Sequence, residues 1–149
     1  MQIAGRGEQR ELVLLSKGPR SSAIYSQCTV NGVKFLCLRI DQGRRNQNSG
    51  VMIEANDIRY YGVLMDVCVL TYSESMSFVL FKCRWYDERT VRKDANGFIS
   101  VNTSTDRHKQ NSFCLALMEK QVYYIDDPKF GSWKVVNVVS HRVTTNRAL

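Results

Sequence analysis

The sequence predicts a mainly β protein, a small antiparallel barrel with at most one or two short helices, and three observations carry that prediction. Asn31-Gly32 stands between two short apolar runs, the strongest local signal for a two-residue hairpin turn. Residues 60–72 and 78–86 are β-branched and aromatic runs joined by a short polar loop. The remaining apolar runs are brief and separated by turn residues, giving six or seven short strands and little helix, which favours a barrel or sandwich over an α/β fold.

In chain order, residues 1–11 are rich in Gly, Arg and Glu and read as a flexible segment. Leu12 to Leu15 begin an ordered element that Lys17-Gly18-Pro19 ends. Cys28 and Val30 lead into the Asn31-Gly32 turn, and Val33, Phe35, Cys37 and Leu38 leave it, making a first hairpin. Residues 41–50 are polar, with Arg44 and Arg45 adjacent, and read as an exposed loop. Residues 51–54 form a short strand, and Asn56-Asp57 turns the chain into the long strand 60–72.

After a loop at 73–77 the chain returns as a strand that puts Val79, Phe81, Cys83 and Trp85 on one face, since side chains alternate along a strand. That face is the natural core face; Phe78, Leu80, Lys82, Arg84 and Tyr86 occupy the other. Asn96-Gly97 marks another turn, before a short strand through Phe98, Ile99 and Val101. Phe113, Ala116, Leu117 and Lys120 lie at helical spacing and predict one short helix. Residues 122–125 and 133–139 are the last strands, and the chain beyond them reads as a loose tail over 142–149.

A length of 149 residues, 44% hydrophobic and 23% charged, suits one globular domain, placed at 12–141. The formal charge of +7 is uneven: residues 1–75 hold nine Lys/Arg against seven Asp/Glu (+2), residues 76–149 twelve against seven (+5). Such basicity is compatible with a polyanionic partner. Cys28, Cys37, Cys68, Cys83 and Cys114 include no Cys-x-x-Cys pair, and neither His108 nor His141 has a cysteine near it in sequence. Reduced buried thiols, no metal and a reducing compartment, cytosol or nucleus, are therefore expected. The charged residues at Arg6, Glu8, Arg10 and Glu11 are not those of a signal peptide, and the longest nearly apolar run, 63–70, is far shorter than the ~20 residues of a membrane span.

Several strings then resemble one family. Asn46-Gln47-Asn48-Ser49-Gly50-Val51 is similar to the core motif of the domain of unknown function 4216, found in plant CACTA (En/Spm-type) transposon proteins. Leu15-Ser16-Lys17-Gly18-Pro19, Val30-Asn31-Gly32-Val33-Lys34-Phe35, Tyr60-Tyr61-Gly62-Val63-Leu64 and Leu80-Phe81-Lys82-Cys83-Arg84-Trp85-Tyr86-Asp87 resemble further blocks of that family, in order. So do Gly97-Phe98 with Val101-Asn102, Phe113-Cys114-Leu115-Ala116, and Gln121-Val122-Tyr123-Tyr124 with Asp127-Pro128. Leu36-Cys37 stands where the family usually has His-Thr, and Leu117-Met118-Glu119-Lys120 replaces its Gln-rich stretch. The resemblance implies a transposon-associated module in a nuclear setting, and no mechanism. The two central strands also look like the centre of bromo-adjacent-homology domains, which implies an SH3-like or bromo-adjacent-homology-like barrel used for chromatin or protein interaction.

No catalytic set is expected. Two-metal strand transfer needs separated carboxylates that converge, whereas Asp126 and Asp127 adjoin Pro128 as turn residues and Asp66 lies mid-strand. Ser49 lacks a Gly-x-Ser-x-Gly elbow, His108 sits in the polar run Asp106-Arg107-His108-Lys109, and His141 lies at a strand edge. The chain reads as a non-enzyme without cofactor, whose partner is DNA or a chromatin protein; the alternative is a protein–protein scaffold without nucleic-acid contact. Candidate nucleic-acid contacts are Arg44, Arg45, Lys82, Arg84, Arg89, Arg92 and Lys93, with Arg107 and Lys109. Tyr60, Tyr61, Tyr86 and Tyr124 are the candidate walls of an aromatic groove able to hold a methylated lysine. The block 46–49 reads first as a turn, because Asn and Ser side chains bond nearby backbone.

Overall fold

The computed structural model describes residues 6–104 and 112–138. Arg107, His108, Lys109, His141 and the tail 142–149 lie outside the described residues. Helix α1 (Arg6–Ser16) opens the chain and crosses into the stretch expected to be flexible. It stops where Gly18 takes φ +77, with the Lys17 and Gly18 amides turning back onto the Val13 and Leu15 carbonyls.

Strands β1 (Ser21–Tyr25), β2 (Gln27–Val30) and β3 (Val33–Leu36) follow, then a single turn of helix, α2 (Leu38–Asp41). Next come β4 (Gly50–Ala55), β5 (Ile58–Ser73), β6 (Met76–Trp85), β7 (Arg92–Lys93) and β8 (Ile99–Asn102). The chain closes with β9 (Ser112–Leu115), β10 (Lys120–Asp126) and β11 (Trp133–Val138). One curled antiparallel sheet, a half-barrel, runs β7-β8-β11-β10-β4-β5-β6-β9, and β2 pairs with β3 apart from it.

The long strand β5 organises everything else. Its first half pairs with β4 (Ala55↔Ile58 to Gly50↔Val63), its second half with β1 (Tyr25↔Val67 to Ser21↔Thr71), and β6 lies along the other side. The turns are those the local residues dictate. Asn31 (φ 50) with Gly32 (φ 79) joins β2 to β3, and Asn56 (φ 53) with Asp57 (φ 62) joins β4 to β5. Asn and Asp tolerate the left-handed region better than other side chains, which is why they occupy these positions.

A bulge between Leu64 and Asp66 shifts the β5–β6 register by one residue. It reverses the parity of β5, so that Leu64 and Val67 both reach the same face. The sheet therefore carries a core on each side. The first gathers Phe35, Cys37, Val51, Leu64, Val67, Phe81, Cys83 and Trp85 beneath the β2–β3 hairpin, with Phe35 and Phe81 edge to face at 5.0 Å. The second gathers Met52, Tyr61, Val63, Tyr86, Val101, Val122, Tyr124 and Val136.

The expected core face of β6 is found: Phe81, Cys83 and Trp85 are buried and Val79 packs against them. Three expectations change. Among the described residues eleven strands replace six or seven; β1, for one, is exposed along its whole length and so shows no alternation for a pattern to detect. The helix expected around Phe113–Lys120 is instead β9 followed by a 3-10 turn at Ala116–Met118, since pairing with β6 overrides the helical spacing. Residues 38–41, read as strand end and loop, form α2. Of the three thiols expected inside strands, Cys37 and Cys83 are buried and Cys68 is half-buried; all five cysteines are free. No helix among the described residues is long and apolar enough to cross a membrane.

Candidate functional site

The polar block 46–49 is the hub that fixes the site. Gln47 extends its side-chain amide to β10, donating from Nε2 to the Tyr124 carbonyl (2.7 Å) and accepting the Tyr124 amide on Oε1 (3.0 Å). One side chain thus continues the ladder that β4 begins with Lys120↔Met52 and Gln121↔Val51. The Asn48 amide donates to Asp41 Oδ2 (2.8 Å), and the Asn48 carbonyl accepts the Leu36 amide (2.9 Å). Gln121 Nε2 donates to the Lys34 carbonyl (2.7 Å), and the Leu64 amide donates to the Ser49 carbonyl (2.8 Å). The block ties β3, β5 and β10 together, which is a turn's work done at longer range than the sequence indicates.

Beside this hub, on the second-core side, a cleft of about 430 Å³ opens between the α2–β4 connection and the sheet. Leu38, Asp41, Arg44 and Gln47 form one wall, Val63, Tyr86 and Tyr124 the floor, and Arg84, Thr103 and Lys134 the opposite rim. Three cations and one carboxylate line it. Arg44 and Arg84 are exposed, and Lys134 is half-buried in an ion pair with Asp126 at 3.3 Å. Asp126 is largely exposed, so that pair is screened by water and exchanges readily.

The floor is rigid. Tyr86 and Tyr124 meet edge to face at 5.7 Å, and Tyr124 Oη donates to the Gly62 carbonyl at 2.7 Å. Burial pushes the Tyr124 phenol well above its ordinary range, so it stays a neutral donor. Tyr124→Phe leaves that carbonyl a partner short and is expected to lower stability by about 1–2 kcal/mol, read from the urea midpoint.

The sequence candidates separate accordingly. Arg44, Arg84, Tyr86 and Tyr124 come together at the cleft, joined by Lys134, which no sequence motif marks. Lys134 was hidden because only the pairing of β11 with β10 brings it round the half-barrel. Arg89 is held by Asp87 through two contacts of 2.9 and 2.8 Å, capping the short 3-10 turn at Glu88–Thr90. Arg92 lies over the Trp133 ring at 4.2 Å, and Lys93 beside it is exposed on β7. Arg45 is exposed next to the cleft, and Lys82 is half-buried on β6 opposite Asp66. The aromatic groove is corrected: Tyr61, Tyr86 and Tyr124 are buried in the second core and Tyr60 packs against the first, because adjacent residues of β5 point to opposite faces. No single groove is lined by all four.

A second polar cluster lies in the first core. The pairing Phe81↔Cys114 and Cys83↔Ser112 sets Cys114 diagonally beside Cys83, and the 3-10 turn at Ala116–Met118 brings Glu119 back onto both. Cys83 Sγ donates to Glu119 Oε1 at 3.7 Å, Cys114 Sγ donates to the same oxygen, and Glu119 Oε2 is buried with no hydrogen-bond partner. Burial, with Cys114 alongside, pushes the Glu119 carboxyl up to about 10. The Cys83 thiol is raised by its interaction with the neighbouring Cys114 side chain and by burial, and Cys114 is correspondingly lowered to about 7.

The folded protein therefore holds a proton on Glu119 that the unfolded chain loses above about 4.5. The stability that Glu119 contributes is fully present below that value and falls as pH rises, at up to about 1.4 kcal/mol per pH unit. Chelator-treated protein should show this decline between about pH 5 and 7, below the Cys114 titration, and Glu119→Gln should flatten it in urea melts.

A family model supplies the comparison. Residues 68–136 match a domain of unknown function (DUF4216). The matched segment covers just under half of the chain, from the second half of β5 through most of β11. It holds Lys82, Arg84, Tyr86, Tyr124 and Lys134, so the two floor tyrosines and two of the cleft's cations lie within the DUF4216 match, while Val63, Arg44 and the hub at 46–49 precede it. No curated protein and no solved structure matches the chain.

Proposed function

We propose that the protein is a non-catalytic accessory module of transposon origin that associates with DNA or chromatin, and that the cleft beside the 46–49 hub is where it takes hold of nucleic acid. The observation that carries this reading is the convergence of Arg44, Arg84 and Lys134 on one concavity floored by Tyr86 and Tyr124. Cations there neutralise phosphates, and the volume of about 430 Å³ falls within the range of ligand sites, suiting one nucleotide of a strand rather than the flank of a duplex. Arg45 and Lys93 lie outside the cleft lining and would extend the positive field. The plant CACTA association and a nuclear location belong to this proposal, supported by the family resemblance. The half-barrel curl supports kinship with SH3-like or bromo-adjacent-homology-like barrels. Among the described residues the cleft carries one carboxylate, Asp41, short of the set that two-metal strand transfer needs, which supports a binding role.

Titration of isotopically labelled protein with a short oligonucleotide at low salt tests this. The amide signals of Arg44, Arg84, Tyr86 and Lys134 should move together. Shifts confined to other surfaces, or none, would rule the cleft out.

A protein–protein scaffold is the second reading, favoured by an apolar groove of about 300 Å³ on the opposite side. There Val30, Phe78 and Val79 face Leu115 and Leu117, and Leu117 is 73% exposed.

A further inference from the structure

We propose that Cys83, Cys114 and Glu119 form a binding site for one thiophilic divalent cation of zinc's class. The three ligand atoms lie within 4.8 Å of one another although 31 and 5 residues separate them in sequence. No closely spaced ligand set marks them along the chain, because the β6–β9 pairing and the 3-10 turn assemble them. A tetrahedral zinc centre has Zn–S near 2.3 Å and Zn–O near 2.0–2.2 Å, which places its ligand atoms roughly 3.5 Å apart. The 3.7 Å between Cys83 Sγ and Glu119 Oε1 is close to that edge.

The carboxyl itself is the independent indication. Glu119 is 92% buried, its Oε1 receives two weak thiol donors, and its Oε2 has no partner. Leaving a buried polar group unsatisfied costs about 1–3 kcal/mol, and a cation held by the sulfurs and by both carboxylate oxygens removes that penalty. Cys83 is buried but Cys114 is half-buried on the edge strand β9, which gives the ion a way in.

Binding releases the two thiol protons and the carboxyl proton to solvent. Two thiolates and one carboxylate then hold the dication, and three protein ligands leave a fourth position for water. Thiolate ligands select zinc's class over magnesium or calcium. Cys28, Cys37 and Cys68 stand outside the cluster and serve as internal controls.

The test uses the full chain, kept reduced, stripped with chelator and titrated anaerobically with Co(II), then with Zn(II). One equivalent of Co(II) should produce thiolate-to-metal charge-transfer absorption that Zn(II) abolishes. Cys114→Ser and Glu119→Gln should each weaken binding by at least about tenfold, and Cys68→Ser should leave it unchanged. Cys83→Ser is set aside as a core substitution; circular dichroism establishes that the Cys114 and Glu119 variants are folded. Folded wild type without the charge-transfer absorption, or Cys114→Ser with undiminished absorption, would overturn the site.

Discussion

Gly62→Ala is expected to lower stability by about 3 kcal/mol, read as a fall in urea midpoint at unchanged slope. Gly62 lies in β5 where β4 and β6 flank it, paired with Val51 on one side and Trp85 on the other. A methyl group built there overlaps the Arg84 carbonyl oxygen and comes within 2.9 Å of the Trp85 ring. The first obstacle is backbone and cannot rotate away, so the β5–β6 ladder must part. The Gly62 carbonyl also receives the Tyr124 hydroxyl, so the displacement reaches the cleft floor. Gly131→Ala is the control: nothing lies within 4 Å of its added methyl, and the change should be close to neutral. The demand for glycine at 62 is steric and not a matter of positive φ, which sets it apart from the turn glycines Gly32 and Gly97.

The second large effect concerns binding. Arg84→Glu with Lys134→Glu converts the rim from two cations to two anions facing Arg44, with no core atom removed. Nucleic-acid affinity at low salt should fall by roughly tenfold or more per reversed charge, because attraction to phosphate becomes repulsion across a few ångströms. Both side chains reach the surface, so the thermal midpoint should change little. Arg89→Glu is the informative comparison. Arg89 lies outside the cleft lining and holds Asp87, so its reversal should disturb the 3-10 turn more than the binding.

What the sequence disclosed and what it hid follow from range. The turns at Asn31-Gly32 and Asn56-Asp57 were legible because the φ > 0 requirement is met by the residues themselves. The alternation of Phe81, Cys83 and Trp85 was legible because one face of β6 meets one core. Alternation says nothing of a second core, however, and Tyr86 was assigned to an outer face that Val101, Val122 and Tyr124 cover. The bulge between Leu64 and Asp66 left no local mark, yet it decides which β5 side chains share a face. Both candidate sites are long-range constructions. Arg44, Arg84 and Lys134 meet only once the half-barrel curls, and Cys83 meets Cys114 only through strand pairing. The block 46–49 reads as a turn in sequence, and its role as a hub comes from Gln47, whose partner lies 77 residues away.

The salt dependence of oligonucleotide binding decides whether the cleft holds nucleic acid, measured for wild type and for a variant with Arg44, Arg84 and Lys134 all changed to Ala. Each phosphate neutralised contributes about 0.9 to the slope of log K against log salt on duplex and about 0.7 on single strands. If the cleft binds phosphate, a single strand binds with an affinity that weakens with salt, and the slope is shallower by about 2 in the triple variant. Equal slopes in the two proteins, or no binding at low salt, would contradict it.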